Sequence, residues 1–494
     1  MLLNSVEFLI FFPVVVGLYL VIPKKWKSVW LLIASYYFYM SWNKKYALLI
    51  AFSTVITYFS GILMEKVQEK RKQKLVVIMS FFINLGILIF FKYFNFLLDN
   101  LNSVLHLFRM QGVDTRFDVI LPVGISFYTF QALGYTVDVY RKTIPAQKNF
   151  IKYALFVSFF PQLVAGPIER SGNLLTQIDE MEQKRLWDYR KMVSGFTLMI
   201  WGLFLKMVIA DRCAIAVDAV FDNLFLAGTV ETVIAAVLFS FQIYCDFGGY
   251  SAIAIGAARV MGVSLMENFN TPYFAESIKD FWRRWHISLS TWFRDYLYIP
   301  LGGSRCSKGK KYRNIMITFL CSGLWHGASW TFVIWGGLHG IYQIVGELLR
   351  PVRDFAVKKM KVKTEAFSFR FGKICITYGL TTFAWIFFRA KNWDTLLLYF
   401  NRMLTRFNPW MFSYSGLEYL NIQLDDILIL FFFLLILFAV DLIREIKKQD
   451  FGEWINEQNL WFRWTVIMIM IVGIVVFGEY GIHFDSAKFI YFDF

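Results

Sequence analysis

Three histidines stand where an imidazole gains nothing from solvation. His326 lies in "SGLWHGASW" (322–330), inside a stretch from 314 to 346 that contains no Asp, Glu, Lys or Arg. His339 follows in "GGLHG" of the same stretch. His286 lies in "DFWRRWHISLSTWFRDYLY" (280–298). The chain has only five histidines, and His106 and His483 sit in polar or terminal stretches. An ionisable group at membrane depth is costly, so it faces a protein interior or a wet cavity and is a functional candidate. A neutral imidazole with a pKa near neutrality acts as a general base toward a hydroxyl or thiol. The alternative is a structural imidazole hydrogen-bonded within a helix bundle. No GxSxG, HExxH or Walker sequence accompanies the histidines, so hydrolase, metalloprotease and ATPase readings lose their usual support.

The neighbours of His326 are small. Gly323, Gly327, Ala328 and Ser329 make a surface that admits another helix or a substrate close to the backbone. Trp325 and Gly323 are read as supporting residues of the His326 site. Asp246 is a third, in the Gly/Ala-rich "FQIYCDFGGYSAIAIGAARVMG" (241–262), where it pairs with Arg259, lines a cavity, or marks a helix end. On a continuous helix His339 would lie roughly 140° around from His326, so it is expected to point elsewhere.

The elements that must position these residues are membrane helices. Of 494 residues 57% are hydrophobic and only 18% charged, below the roughly 25% of soluble domains. Apolar runs of about 20 residues, each able to span roughly 30 Å of hydrocarbon, recur along the chain. About eleven are expected, near 6–22, 27–42, 46–64, 75–98, 118–138, 193–210, 230–247, 315–346, 373–388, 427–443 and 463–479. The run at 315–346 allows two shorter helices. The fold class is all-α, a polytopic integral membrane protein read as one domain over 1–494. The N-terminal run lacks a basic leader and a cleavage site, which predicts a retained first helix with its N-terminus outside.

Residues 280–298, taken as one helix, place Arg284, Ser288, Thr291 and Asp295 on one face and Trp282, His286, Leu289 and Phe293 on another. That predicts an aromatic, amphipathic helix at the membrane interface within 266–313. Pro300 and Gly302–Gly303 break it, and "SRCSKGKKYR" (304–313) follows with five basic residues, as expected of a cytoplasmic loop. The formal net charge of +15 would suggest nucleic acid in a soluble protein. Here it reads as orientation signal, and no nucleic-acid partner is expected: 24–27, 65–74 and 141–152 carry twelve basic residues, against five in 43–45 and 92–117. Cys213, Cys245, Cys306, Cys321 and Cys375 show no ligand spacing and read as small hydrophobes, with no metal expected.

"FWRRWHISLSTWFRDYLYIPLGGSR" together with "GLWHGASWTFVIWGGLHG" resembles the membrane-bound O-acyltransferase family, most of all its bacterial branch that O-acetylates extracellular polysaccharide. "PQLVAGPIER" (161–170), "YCDFGGYSAIAIGAARVMG" (244–262) and "FIYFDF" (489–494) extend the resemblance over most of the chain. The resemblance implies membrane helices with interfacial or re-entrant segments around a central tunnel, by which a cytoplasmic thioester reaches the site. It maps the family's invariant histidine onto His326 and its second site position onto His286. It implies acetyl-CoA as donor with no tightly bound cofactor. It also implies a polysaccharide acceptor of alginate, cellulose or peptidoglycan type, an extracytoplasmic esterase-like partner, and the bacterial inner membrane. On the residues themselves His326 is the base, and His286 positions groups or stabilises charge. Two competing readings are D-alanyl transfer to teichoic acid from a carrier-protein thioester, and a glycan or lipid transporter with proton-relay histidines.

Overall fold

The computed structural model describes residues 1–117, 121–164, 166–183, 188–408, 424–480 and 490. His483, most of "FIYFDF", the start of the expected span at 118–138 and Ala165 of "PQLVAGPIER" lie outside the described residues. Among the described residues the ordered elements are helices. Helices occupy all eleven expected places, and the 315–346 run is two of them, Lys308–His326 and Trp330–Leu348. Seven helices in the described residues are long and apolar enough to cross a membrane, or eight when Trp330–Leu348 and Arg350–Lys359, bent by 47°, are taken together. Val6–Val21, Lys27–Met40 and Ile125–Tyr140 are apolar but shorter, at 16, 14 and 16 residues. All five cysteines are free thiols.

The chain folds as two compact units, Met1–Phe196 with Ile253–Met266, and Thr197–Ala252 with Glu267–Phe494. In the first, the aromatic residues Phe8, Phe38 and Phe160 interlock, with Phe8 and Phe38 centroids 6.2 Å apart and Phe38 and Phe160 5.7 Å apart. A Cβ on Gly61 would lie 2.5 Å from the Tyr135 hydroxyl, so a larger residue there would push the Tyr135 ring aside. The buried Glu169 of "PQLVAGPIER" accepts from the Met266 amide and from Asn173 Nδ2, which closes its loop onto 264–266. Arg259 donates to Ser194 Oγ at 2.8 Å.

The second unit holds the three histidines. Its central feature is an antiparallel hairpin of Lys308–His326 and Trp330–Leu348. Gly323 and Gly336 let the two helices touch: a Cβ on Gly323 would lie 2.3 Å from the Phe332 carbonyl oxygen, and one on Gly336 2.2 Å from that of Phe319. A Cβ on Gly327 would meet the Phe332 ring at 2.2 Å. The small-residue surface around His326 is therefore occupied by the partner helix of its own hairpin. At the other end Lys311 pairs with Glu347. The basic segment 304–313, helical from Lys308 onward instead of a loop, and the basic helix Arg350–Lys359 thus emerge at the same end of the hairpin. Cysteines placed at the exposed positions Ser307 and Lys359 will both label from the cytoplasmic side, in inverted vesicles but not in intact cells. Labelling of one from each side would contradict the hairpin.

A second feature is a buried ion triad. Lys206 Nζ lies 2.7 Å from Asp211 Oδ1 and 2.7 Å from Asp246 Oδ1, with all three side chains at most 4% exposed. It sits where the helix widens to a π turn, Leu205–Ala210, a distortion that recurs at functional positions. Asp246 Oδ2 also accepts from the Ile490 amide at 2.8 Å.

Candidate active site

In place of one amphipathic helix over 280–298, the structure has two short ones, Ile278–Arg284 and Ile287–Phe293. They break at Trp285–His286, and His286 takes the left-handed conformation, φ 41° and ψ 55°. A histidine reaches that region more readily than most residues, but still at a cost that the surroundings must offset. They do so with two backbone bonds from the preceding segment: Asn270 N–H donates to Arg284 O, and Ile287 N–H to Asn268 O, both at 2.9 Å. Arg284 locks the same segment from its side chain, bonding Thr271 Oγ1 at 3.0 Å, Glu445 at 2.7 Å and Asp280 at 3.0 Å. Thr271, itself left-handed at φ 43°, donates to Glu445 at 2.8 Å.

The expected polar and apolar faces therefore dissolve. Arg284 turns to Glu445, Asp295 to Arg294, and Thr291 back-bonds to Ile287 O. Ser288, expected on the polar face, is fully buried with His286, and both bond Asn268 Oδ1, at 2.9 and 3.0 Å. The helical reading fails because sequence spacing assumes an unbroken 3.6-residue period, and one left-handed residue resets the phase. The break after 298 does fall where Pro300 and Gly302–Gly303 place it, with Gly302 at φ 108° and Gly303 at φ 55°.

His326 closes its own helix. Its Nδ1 lies 2.6 Å from the carbonyl oxygen of Ser322, one turn back, and Gly327 continues in extended backbone. A histidine at a helix C-terminus satisfies one of the last carbonyls in this way. A carbonyl only accepts, so Nδ1 carries the proton and Nε2 of the neutral ring carries the lone pair. His326 is 3% exposed, and His286 is fully buried.

The two rings, 40 residues apart in sequence, lie 6.3 Å apart between centroids. Around them is an aromatic shell. Phe247 packs edge-on to His286 at 4.7 Å, and Trp325 contacts both rings, at 6.0 Å from His286 and 5.0 Å from His326. Trp335 and Phe388 pack on His326 at 4.8 and 5.5 Å. Burial first, and then the nearby His326, hold the His286 pKa well below the ordinary imidazole value, so its ring is neutral at pH 7.

His339 does not point elsewhere. The chain turns at 327–329, so the continuous-helix angle does not apply, and His339 joins the same cluster with Trp335 between it and His326, 5.2 Å from its own ring. Trp282 Nε1–H donates to His339 Nδ1 at 3.2 Å. That makes it the bundle histidine of the structural alternative. Of the supporting residues, Trp325 touches both rings, and Gly323 serves the hairpin contact. Asp246 belongs to the Lys206 triad, next in sequence to Phe247. Sequence reasoning missed Asn268, Ser251, Trp335 and Phe388, which carry no distinguishing spacing. It also missed Lys206, which had a signal: a lone lysine in an apolar run, five residues before Asp211. Among the described residues no group of three or more His, Cys, Asp or Glu side chains is placed to hold a metal.

The family model for membrane-bound O-acyltransferases matches residues 137–388, a span that includes all three histidines. The chain is 39% identical to a probable alginate O-acetylase of Pseudomonas aeruginosa over 411 residues, 83% of this chain and 76% of that protein. It is 37% identical to a peptidoglycan O-acetyltransferase of Helicobacter pylori over 75% of this chain and 72% of that protein. A teichoic acid D-alanyltransferase of Bacillus subtilis matches at 29%, over 45% of this chain and 58% of that protein.

Proposed function

Since the chain belongs to the membrane-bound O-acyltransferase family and is a multi-pass membrane acyltransferase, we propose that it moves acetyl groups from a cytoplasmic thioester toward hydroxyls of a cell-surface or exported polysaccharide. The observation that carries this reading is the approach of His286 and His326 to 6.3 Å inside a buried aromatic shell. A thioester is already activated, so the chemistry needs a base and a dry, oriented site, and no ATP. His326 Nε2 takes the proton of the acceptor hydroxyl. The oxygen attacks the thioester carbonyl, the C–S bond breaks, and the leaving sulfur takes up a proton. An ester and a free thiol result. His286, neutral and buried, shapes the second side of the site and stabilises charge that develops there.

Acetyl-CoA is the donor in this reading, met from the cytoplasmic side, and no cofactor is held tightly. The acceptor class follows the alginate and peptidoglycan acetylating relatives. An extracytoplasmic, esterase-like partner completes delivery to the glycan, and the membrane is the bacterial inner membrane. D-Alanyl transfer has less behind it, because that similarity spans 45% of the chain against 83%. The test is donor labelling in membranes carrying the full-length protein. Radiolabelled acetyl-CoA should yield ester-bound label in surface glycan, and a D-alanyl carrier-protein thioester should yield none. D-alanyl ester without acetyl ester would overturn the assignment.

A further inference from the structure

We infer that Asn268 is a positioning residue that fixes the tautomer of His286, holding the proton on Nδ1 and leaving the lone pair on Nε2; this rests on the acyl-transfer reading above. Asn268 is 1% exposed, and its side chain is committed on both ends. Its Nδ2 donates to Ser251 Oγ at 3.1 Å, which turns Oδ1 toward His286 and Ser288. Ser288 Oγ donates to Oδ1 at 2.9 Å, and His286 Nδ1 lies 3.0 Å from the same oxygen. An amide oxygen only accepts, so the imidazole nitrogen beside it carries hydrogen.

The backbone gives the side chain its aim. Asn268 O accepts from Ile287 N–H at 2.9 Å, directly after the left-handed His286, so side chain and main chain of one residue grip both sides of the kink. Phe247 packs against His286 from the helix Thr229–Val260, and Trp325 and His326 from Lys308–His326. Arg284, two residues away, is engaged by Asp280, Thr271 and Glu445. His326 is a titratable group that acts on His286. His326 has its own Nδ1 committed to Ser322 O, so both rings present Nε2 as the basic nitrogen.

The experiment uses full-length protein with ¹⁵N-labelled histidine in lipid bilayers. With only five histidines, the signals lost in His286→Gln identify that ring. Solid-state NMR should show His286 neutral with hydrogen on Nδ1, and in Asn268→Ala this single tautomer should disappear. Acetyl transfer by Asn268→Ala should fall about 10- to 100-fold in kcat with KM within about twofold, the scale of losing a partner that orients a working imidazole. Asn268→Asp restores a fixed acceptor. It should recover activity over Asn268→Ala and move the pH profile of kcat upward, because a carboxylate beside Nδ1 favours the imidazolium. A residue that only held the fold would not move that profile. If Asn268→Ala fails to fold, Asn268→Asp decides by its pH profile. Hydrogen on Nε2 in the wild type, an unchanged tautomer in Asn268→Ala, or an unmoved profile in Asn268→Asp would overturn the inference. The spectrum is read without turnover, so a correct tautomer in a protein that transfers no acetyl would count against the functional reading alone.

Discussion

His326→Ala inserts and folds but loses acyl transfer by at least about 10²–10⁴-fold, the range for removing a general base. Folding should survive because the loss is local. The imidazole is nearly fully buried among aromatic rings, and its Nδ1 lies 2.6 Å from the Ser322 carbonyl oxygen. Removing it leaves one acceptor short of a donor at a helix end, a cost of about 1–3 kcal/mol. The hairpin itself is held elsewhere, by the Gly323–Gly336 contact and by Lys311 with Glu347. His326→Gln separates proton transfer from placement. Its amide can still donate toward Ser322, yet it cannot accept a proton near neutral pH. Both variants should be equally inactive, measured as acetyl ester formed per inserted protein. Near wild-type transfer by His326→Gln would rule out the base assignment. Activity in Gln but not in Ala would make His326 a positioning residue.

Lys206→Met should strongly destabilise the second unit. The ammonium sits 2.7 Å from each of two buried carboxylates, so its removal leaves Asp211 and Asp246 facing each other without a counter-charge. Breaking a buried ion pair by removing one partner costs about 3–5 kcal/mol, because the remaining charge stays desolvated. Two stranded carboxylates should put the cost at the upper end of that range. Replacing all three, as Lys206→Met with Asp211→Asn and Asp246→Asn, removes the stranded charges and should recover most of the lost stability. Thermal unfolding in detergent, followed by monodispersity, reads both. If Lys206→Met melts with the wild type, the triad does not stabilise the unit. Recovery in the triple variant distinguishes charge from lost packing, since the lysine stem is absent from both.

Much of the molecule was legible from residue types alone. Hydrophobic runs of bilayer length placed the long apolar helices, because backbone groups in hydrocarbon must be satisfied within the segment, whereas short helices such as Ile278–Arg284 and Ile287–Phe293 answer to no such run. Gly302–Gly303 marked a real break, and the two long histidine motifs supplied the two rings that lie 6.3 Å apart. Periodicity could not see the left-handed turn at His286, since that turn is stabilised by Asn268 and by the bonds of Arg284 to Thr271 and Glu445, residues brought alongside from elsewhere in the chain. Ser288 therefore moved from an expected polar face to the buried side of the kink.

By itself the sequence determined that the chain is helical, crosses a membrane repeatedly, and carries buried imidazoles, since all three follow from composition and local spacing. Only the tertiary structure decided which histidines meet. The Gly323–Gly336 contact folds 308–348 into a hairpin that brings His339 into the cluster with His326, against the angle expected on one continuous helix. The left-handed His286 then turns a second ring to within 6.3 Å of His326. Such contacts depend on close approach between distant segments, and short-range patterns contain no term for that.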